Sequence, residues 1–367
     1  MTVAASFIRQ ACQDQSDIKW LFAVSRQIMD ELSEFHADLP KDVAVFNTSP
    51  ARSREARRQL LRIEAYFQPD VIFTLFGPAY AKFHTPHLLG CANAWLTNPT
   101  WAAYRTIKHF PFGAVTSYVQ GLYRLQLLKL ADSWITQTET ARQGLHHRLR
   151  VPLDQINIVA NTCDQIFIDH MRVQVFPEKG TKIRILCFAA SYLHKNLISI
   201  PHVAAHLESM APSLDFEFVI TLPPKEKLYH KMIQLAKSLG VGKRLVNAGP
   251  IPLANGPELY QSCHISFLPT LLETFSATYP ESMAMGVPIV TTDFGFSRDA
   301  CQDAALYYPY QDHHAAANCI KRLLDDRDLW ETQIARGKAV LTRLPDSETR
   351  YQQYRACIRK MVDRRNA

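Results

Sequence analysis

Short apolar runs alternate along this chain with longer stretches whose apolar positions recur every three or four residues. In the second half the short runs are Ile183–Ala189, Phe216–Leu222, Leu245–Ala248, Ile265–Leu268, Ile289–Thr292 and Ala305–Tyr308. They are almost unbroken by polar residues, as strands buried on both faces are. Helical spacing falls between them, at Ile200–Met210, Tyr229–Leu239, Glu258–Cys263, Ala277–Met285 and Ala315–Leu324. This alternation predicts a parallel sheet with helices on both faces.

The first half repeats the rhythm less cleanly. Its candidate strands are Trp20–Val24, Val43–Asn47, Val71–Leu75, His87–Cys91, Ser133–Gln137 and Ile156–Val159, and its helices fit Arg52–Phe67, Ala114–Leu130 and Thr138–Arg148. The opening, Ala4 to Arg9, already reads as a helix, with no apolar strand or glycine-rich loop before it; the first glycine is Gly77. Met171–Thr181 (MRVQVFPEKGT) collects proline, glycine and charge and is the best linker candidate. The predicted organisation is therefore a domain over 1–175, a second over 176–345, and a helical tail over 346–367 after the Leu344-Pro345 break. Two such α/β halves are expected to meet at a cleft, with ligands at the carboxyl ends of the strands.

Composition narrows the class. The 367 residues are 47% hydrophobic and 20% charged, the balance of a water-exposed globular chain. No window holds the roughly 18 apolar residues of a spanning helix, and the first residues do not read as a signal peptide because Arg9 interrupts the apolar run. A cytoplasmic protein is expected. Eight scattered cysteines, none in a C-x-x-C pair, read as reduced and mostly buried thiols and give no zinc spacing. The net charge of +7 is concentrated: residues 51–150 hold 13 Lys or Arg against 5 Asp or Glu. That excess fits an anionic partner or a solvated basic surface. No nucleic-acid-binding module is recognisable, so nucleic acid is not expected. A G-x-G-x-x-G after a strand is lacking too, which argues against a dinucleotide-dependent oxidoreductase.

The densest chemical signal is Ile265–Thr292, ISFLPTLLETFSATYPESMAMGVPIVTT. A strand ends near Leu268, a loop carries Glu273, and a helix opens near Ala277 with Pro280 in its first turn. Gly286 closes the helix and Pro288 prevents its continuation. Backbone N–H groups around Phe275, Ser276 and Ala277 suit a phosphate. Glu281, on the same helix, suits a ribose diol, and Glu273 suits sugar hydroxyls and a developing oxocarbenium ion.

This segment resembles the E-x7-E motif of glycosyltransferase family 4, retaining enzymes of the GT-B fold, of the kind that build bacterial surface polysaccharides. Glu273 and Glu281 have the spacing, and MAMGVPIVTT continues the likeness. Ile185–Asn196 (ILCFAASYLHKN) resembles the family's strand and loop with a basic residue, and Lys195 matches the lysine that contacts the donor pyrophosphate. Where the family often adds an arginine the chain reads Ala189-Ala190-Ser191, so one cation is lacking; Ser191 stays in the donor-binding set. Gly249 and Pro250 follow a strand and suit contact with the base through backbone groups. Asn157–Phe167 and Ala131–Thr140 are softer matches.

The resemblance implies α/β architecture with two facing Rossmann-like domains and transfer of a sugar, with retention, from a UDP- or GDP-sugar to a glycan or lipid-linked acceptor. Glu273 and Lys195 would be catalytic. No metal is expected, because no D-x-D stands at a strand end; Asp325, Asp326 and Asp328 have some of that look but terminate a helical pattern. On the acceptor side the candidates are Gly77, within Phe76-Gly77-Pro78-Ala79-Tyr80, together with His87 and, equally, Asn93; His87 reads more readily as a satisfied structural histidine. From Trp101 to Lys129 aromatics interleave with Arg105, Lys108, His109, Arg124 and Lys129, which suits either peripheral contact with an anionic membrane or packing into a core. The family's opening strand and glycine loop have no counterpart here. A gap or a rearranged sheet is expected in the first half, with transfer affected more than donor binding. The alternative is a degenerate relative that binds a nucleotide sugar or serves as a scaffold.

Overall fold

The computed structural model describes residues 3–34, 40–78, 80–107 and 111–366; Ala79, Lys108 and His109, named above, lie outside the described residues. The chain is α/β with parallel sheets. Every expected strand forms within two residues of its predicted ends. They are β1 (Phe22–Ser25), β2 (Val43–Phe46), β3 (Ile72–Thr74), β4 (His87–Gly90), β5 (Ser133–Thr136), β6 (Ile156–Ile158), β7 (Ile183–Cys187), β8 (Phe216–Ile220), β9 (Leu245–Asn247), β10 (Ile265–Leu268), β11 (Ile289–Thr292) and β12 (Ala305–Tyr308).

The chain forms two compact units, and neither is continuous in sequence. The first comprises Met1–Asn98, Thr116–Thr162 and Pro345–Ala367; the second comprises Pro99–Val115 and Cys163–Leu344. The division at Thr162 and Cys163 falls a dozen residues before the expected boundary. The reason is apolar burial: Phe167 is fully enclosed among Tyr260, Tyr279 and Met283 of the second unit. The predicted linker is not a free tether either. Arg172 N donates to the Ala284 carbonyl at 3.2 Å, Gln174 Nε2 to the Cys263 carbonyl at 2.7 Å, and Phe176 meets Trp330 edge-on. Its first residues are a strap on the second unit.

The second unit carries one six-stranded sheet, in the order β12-β11-β10-β7-β8-β9. Alternation along each strand feeds two cores. Ile183, Ile185 and Cys187 of β7 face one, together with Phe216, Phe218 and Ile220 of β8. Leu186 and Val219 face the other, beside Leu268 and Ile289. Helices Ile200–Met210 and His313–Asp325 cover the first face, and Thr278–Ala284 the second. The acidic run is a helix junction. Asp326 Oδ1 accepts from Leu329 N at 2.9 Å and caps helix Arg327–Leu341, so that carboxylate is spent on backbone.

The first unit's sheet is in two pieces, β1-β2 and β3-β4-β5-β6. In the second unit β7 stands between β8 and β10; among the described residues nothing stands in the same way between β1 and β3. Aromatic packing ties the pieces instead. Phe7, on helix Val3–Gln13, lies 5.5 Å from both Trp20 and Phe73 and 5.3 Å from Tyr351. The tail helix Ser347–Asn366 belongs to this unit. Tyr351, Tyr354, Ile358 and Met361 enter its core, and buried Arg350 donates to Asn161 Oδ1, Thr162 Oγ1 and Ser6 Oγ.

Gly286, between the helix and β11, has φ +62°, and a Cβ there would stand 2.5 Å from the Arg172 carbonyl oxygen. Gly240 also has positive φ, +76°, but its Cβ would meet nothing. Gly240→Ala is therefore expected to cost about 1 kcal/mol from the left-handed backbone alone. Gly286→Ala adds a clash with backbone and should cost about 3 kcal/mol. Urea unfolding midpoints of the two variants check this; equal losses would contradict the close approach of the strap.

Candidate functional site

In the second unit the chain runs outward from β7 to β8 and β9, then returns to place β10 on the other side of β7. Loops leaving adjacent strands β7 and β10 thus depart in opposite directions. That is the switch point at which open α/β sheets bind ligands. The loop after β7 carries Ser191 and Lys195, and the loop after β10 carries Glu273. The sequence gives no distance between them; the fold joins them, with Lys195 Nζ donating to Glu273 Oε1 at 2.5 Å. Both side chains are largely buried, at 16% and 12% exposed. Thr270 Oγ1 donates to the same Glu273 oxygen at 2.9 Å.

Backbone contacts hold the two loops in register. Leu271 N donates to the His194 carbonyl at 2.7 Å, and Thr292 Oγ1, at the end of β11, fixes the second loop by donating to the Thr270 carbonyl at 2.5 Å. Lys195 ends a single 3-10 turn, Leu193–Lys195, and Asn196 follows in the left-handed region at φ 52°. Burial lowers the His194 pKa; the Glu273 carboxylate opposes the shift and Lys195 adds to it. Ser191 Oγ donates to Glu226 Oε1 at 2.9 Å, so its hydroxyl is tied to the start of helix Lys227–Ser238.

The helix Thr278–Ala284 opens at Ala277, which has no side chain to cap it; Ala277 is exposed, while Phe275 and Ser276 are buried. Glu281 is only 6% exposed, and Tyr260 Oη donates to its Oε2 at 3.3 Å. Burial pushes its carboxyl up to about 7, against the Tyr260 hydrogen bond, which lowers it; Asp164 adds to the rise. Beneath it Ser282 Oγ bonds Ser266 Oγ at 2.9 Å and the Thr278 carbonyl at 2.7 Å. Gly249 has φ +75° and follows β9. Asn247 Oδ1 accepts from Gly249 N and Leu222 N, each at 3.1 Å, which fixes the bend that presents exposed Pro250.

The acceptor-side candidates belong to the first unit. His87 is corrected to a structural histidine. It lies in β4 at 1% exposure, its Nε2 pairs with Thr74 Oγ1 at 2.9 Å, and burial pulls its pKa down to about 4. Asn93 is half-buried and caps helix Ala94–Thr97 through a bond from Trp95 N at 3.1 Å. Gly77 N donates to the Gly90 carbonyl at 2.7 Å, and a Cβ on Gly77 would strike Leu89.

Sequence reasoning missed several participants. Thr100 Oγ1 donates to the Leu271 carbonyl at 2.9 Å, which puts Thr100 beside the Glu273 loop. Nothing in the local pattern signals a contact across 171 residues. Thr270 and Tyr260 were overlooked because a threonine after a strand and a tyrosine in a helix usually pack.

Residues 172–340 match the family described as "Glycosyl transferases group 1", which spans both site loops. A D-inositol 3-phosphate glycosyltransferase of Nocardia farcinica is 29% identical over 99 residues, 26% of this chain and 22% of that protein. The chain thus spans under a quarter of the length of this curated relative. Among solved structures, a Rickettsia africae glycosyltransferase aligns at TM-score 0.70 and 12% identity, over 98% of this chain and 94% of the other. Anabaena HepE, solved with UDP and glucose, aligns at 0.68 and 14%, over 98% and 96%. Sucrose-phosphate synthase of Thermosynechococcus elongatus aligns at 0.69 and 14%, over 94% and 100%. The chain shares the fold of these GT-B glycosyltransferases.

The Glu281 environment has a pH signature. Its folded pKa of about 7 lies above the ordinary 4.5, so the folded chain holds the proton through a range where the unfolded chain has released it. No penalty exists below the ordinary value; it grows as pH rises and is complete above about 7. Between pH 4.5 and 8 the wild type should lose about 3 kcal/mol relative to Glu281→Gln, which carries no such proton. Parallel denaturation curves for the two proteins across that range measure the difference; parallel slopes would exclude a buried, displaced carboxyl.

Proposed function

Taking the second unit's match to group 1 glycosyl transferases as the premise, we propose that the protein transfers a sugar from a nucleoside diphosphate sugar, UDP- or GDP-linked, to a hydroxyl of a glycan or lipid-linked acceptor, with retention at the anomeric carbon. The observation that carries the reading is the Lys195–Glu273 ion pair at the switch point between β7 and β10. A cation and an anion held together there suit a reaction in which opposite charges develop on adjacent atoms.

The chemistry follows from that pairing. The bond from the anomeric carbon to the diphosphate breaks, and the electron pair leaves with phosphate. Lys195 stabilises the growing negative charge, and the backbone amides at Phe275, Ser276 and Ala277 add dipoles of the same sense. Glu273 faces the cationic sugar. The acceptor oxygen attacks from the side the diphosphate leaves, and its proton passes to the leaving phosphate oxygen. Glu281, held by Tyr260, takes the ribose diol; Gly249 and Pro250 lie toward the base, and Ser191 toward the diphosphate. No metal takes part, since lysine and amides supply the positive charge. The surroundings are the cytoplasm and, through the basic first half, the inner face of an anionic membrane.

Lys195→Ala and Glu281→Ala are each expected to weaken UDP or UDP-sugar binding by about 1.5–3 kcal/mol, the range for hydrogen bonds to charged groups. Glu273→Ala should lower turnover more than affinity, because its charge matters most as the sugar becomes cationic. Titration calorimetry with UDP, GDP and their sugars reads the first effect; unchanged affinity in both variants would sink the donor assignment. Adding EDTA should leave donor affinity unchanged, and its loss would show that a metal is required. Transfer measured against donor hydrolysis separates an enzyme from a binding relative.

A further inference from the structure

Helix Phe112–Leu128 (FGAVTSYVQGLYRLQLL) is apolar on more than one side. One side is spent in the usual way: Leu125 and Leu128 are buried against Leu89 and Trp134, with buried Gly121 above them. Yet Tyr118, Val119, Leu122 and Tyr123 are 46%, 57%, 42% and 61% exposed. At 3.6 residues per turn these four fall within an arc of about 140° that adjoins the buried seam at Leu125 and includes the exposed Gln126. Phe112 and Val115, on the opening turn of the same helix, are exposed too. A helix apolar all round is ordinarily enclosed, and large contiguous exposed apolar faces mark interaction sites.

Charge identifies the occupant. From Pro99 to Ala131 the sequence holds Arg105, Lys108, Arg124 and Lys129 and not one Asp or Glu. Arg124 is exposed on the side of the helix opposite the stripe, and Lys129 is exposed just past the helix end, in line with it. An apolar face, a cation on the other face, a second at the helix end and no carboxylate are the composition of a helix lying in an anionic membrane interface. Tyrosine is favoured there, because its ring sits among acyl chains while its hydroxyl stays wet.

We propose that the exposed face of helix Phe112–Leu128, built on Tyr118, Val119, Leu122 and Tyr123, is a docking surface for an anionic lipid bilayer. The proposal deepens the membrane contact suggested above by assigning it to one helix, and it is independent of the donor site. The helix lies in the interface rather than across it; among the described residues no helix is long and apolar enough to span a membrane.

The test is co-sedimentation of the full chain with phosphatidylcholine vesicles and with vesicles in which a quarter of the lipid is phosphatidylglycerol. Binding to the anionic vesicles should be at least tenfold tighter and should weaken at high salt. The double variant Val119→Glu, Leu122→Glu should lose at least tenfold of that binding, while Leu122→Phe keeps it. Both positions are exposed, so the melting temperatures should match the wild type and show the variants folded. Anionic-vesicle binding untouched by the glutamates would overturn the helix assignment and leave the membrane contact standing. No vesicle binding by the wild type would overturn both. A wild-type dimer that the glutamates convert to monomer, with no vesicle binding, would assign the stripe to a second copy and overturn the proposal as well.

Discussion

The pairing of β10 with β7 is the constraint on which the rest of the second unit depends. Parallel strands cannot be joined by tight turns; each needs a crossover over one face of the sheet. Strands β7, β8 and β9 advance toward one edge, and the chain must then return to pair Ile265 with Ile185 and Ser266 with Leu186. Only at that junction do two neighbouring loops leave in opposite directions, and Lys195 and Glu273 stand on those two loops. A slip of one residue there would turn each strand's side chains to the wrong face. The apolar alternation that fills both cores therefore fixes the charge pair as well.

Below the pair lies a buried polar layer. Glu281, Tyr260, Ser282 and Ser266 form a connected set, and Thr291, Tyr279 and Leu268 form another, with Tyr279 Oη 3.0 Å from Thr291 Oγ1 and Thr291 Oγ1 donating to the Leu268 carbonyl at 2.9 Å. Satisfied networks of this kind rigidify their surroundings, whereas a single missing partner is costly. Such a layer lets the short helix Thr278–Ala284 be buried along its whole length while its uncapped start still reaches the surface at Ala277.

What was legible in the sequence was whatever rests on periodicity. Runs such as Phe216–Ile220 and Ile289–Thr292 are short, apolar and rich in β-branched or aromatic residues, which marks them as buried strands, and their ends were placed to within two residues. The E-x7-E spacing and Lys195 were legible as types, but not as an ion pair, because the bond depends on strand order. Partners in space without local pattern stayed hidden. Thr100 gives no hint that it bonds Leu271, and proline and glycine in Met171–Thr181 suggested a tether where Arg172 and Gln174 in fact strap the second unit. His87 shows the converse: a histidine within an apolar strand pattern reads more readily as structural, and its burial in β4 against Thr74 agrees.

The tail helix Ser347–Asn366 follows the second unit in sequence yet completes the core of the first. Arg350 reaches Ser6, and Tyr351 Oη donates to Asp14 Oδ2 at 2.7 Å, contacts that close loops of more than 330 residues. On the ribosome the second unit has all its strands before those residues emerge. The first unit waits, with Phe7 and Ala11 of its opening helix lacking the side chains that finally cover them. A stall or a nonsense codon near Pro345 would therefore leave a folded second unit joined to a first unit with an open core, a species that quality-control machinery can tell from the finished protein by its exposed aromatic rings.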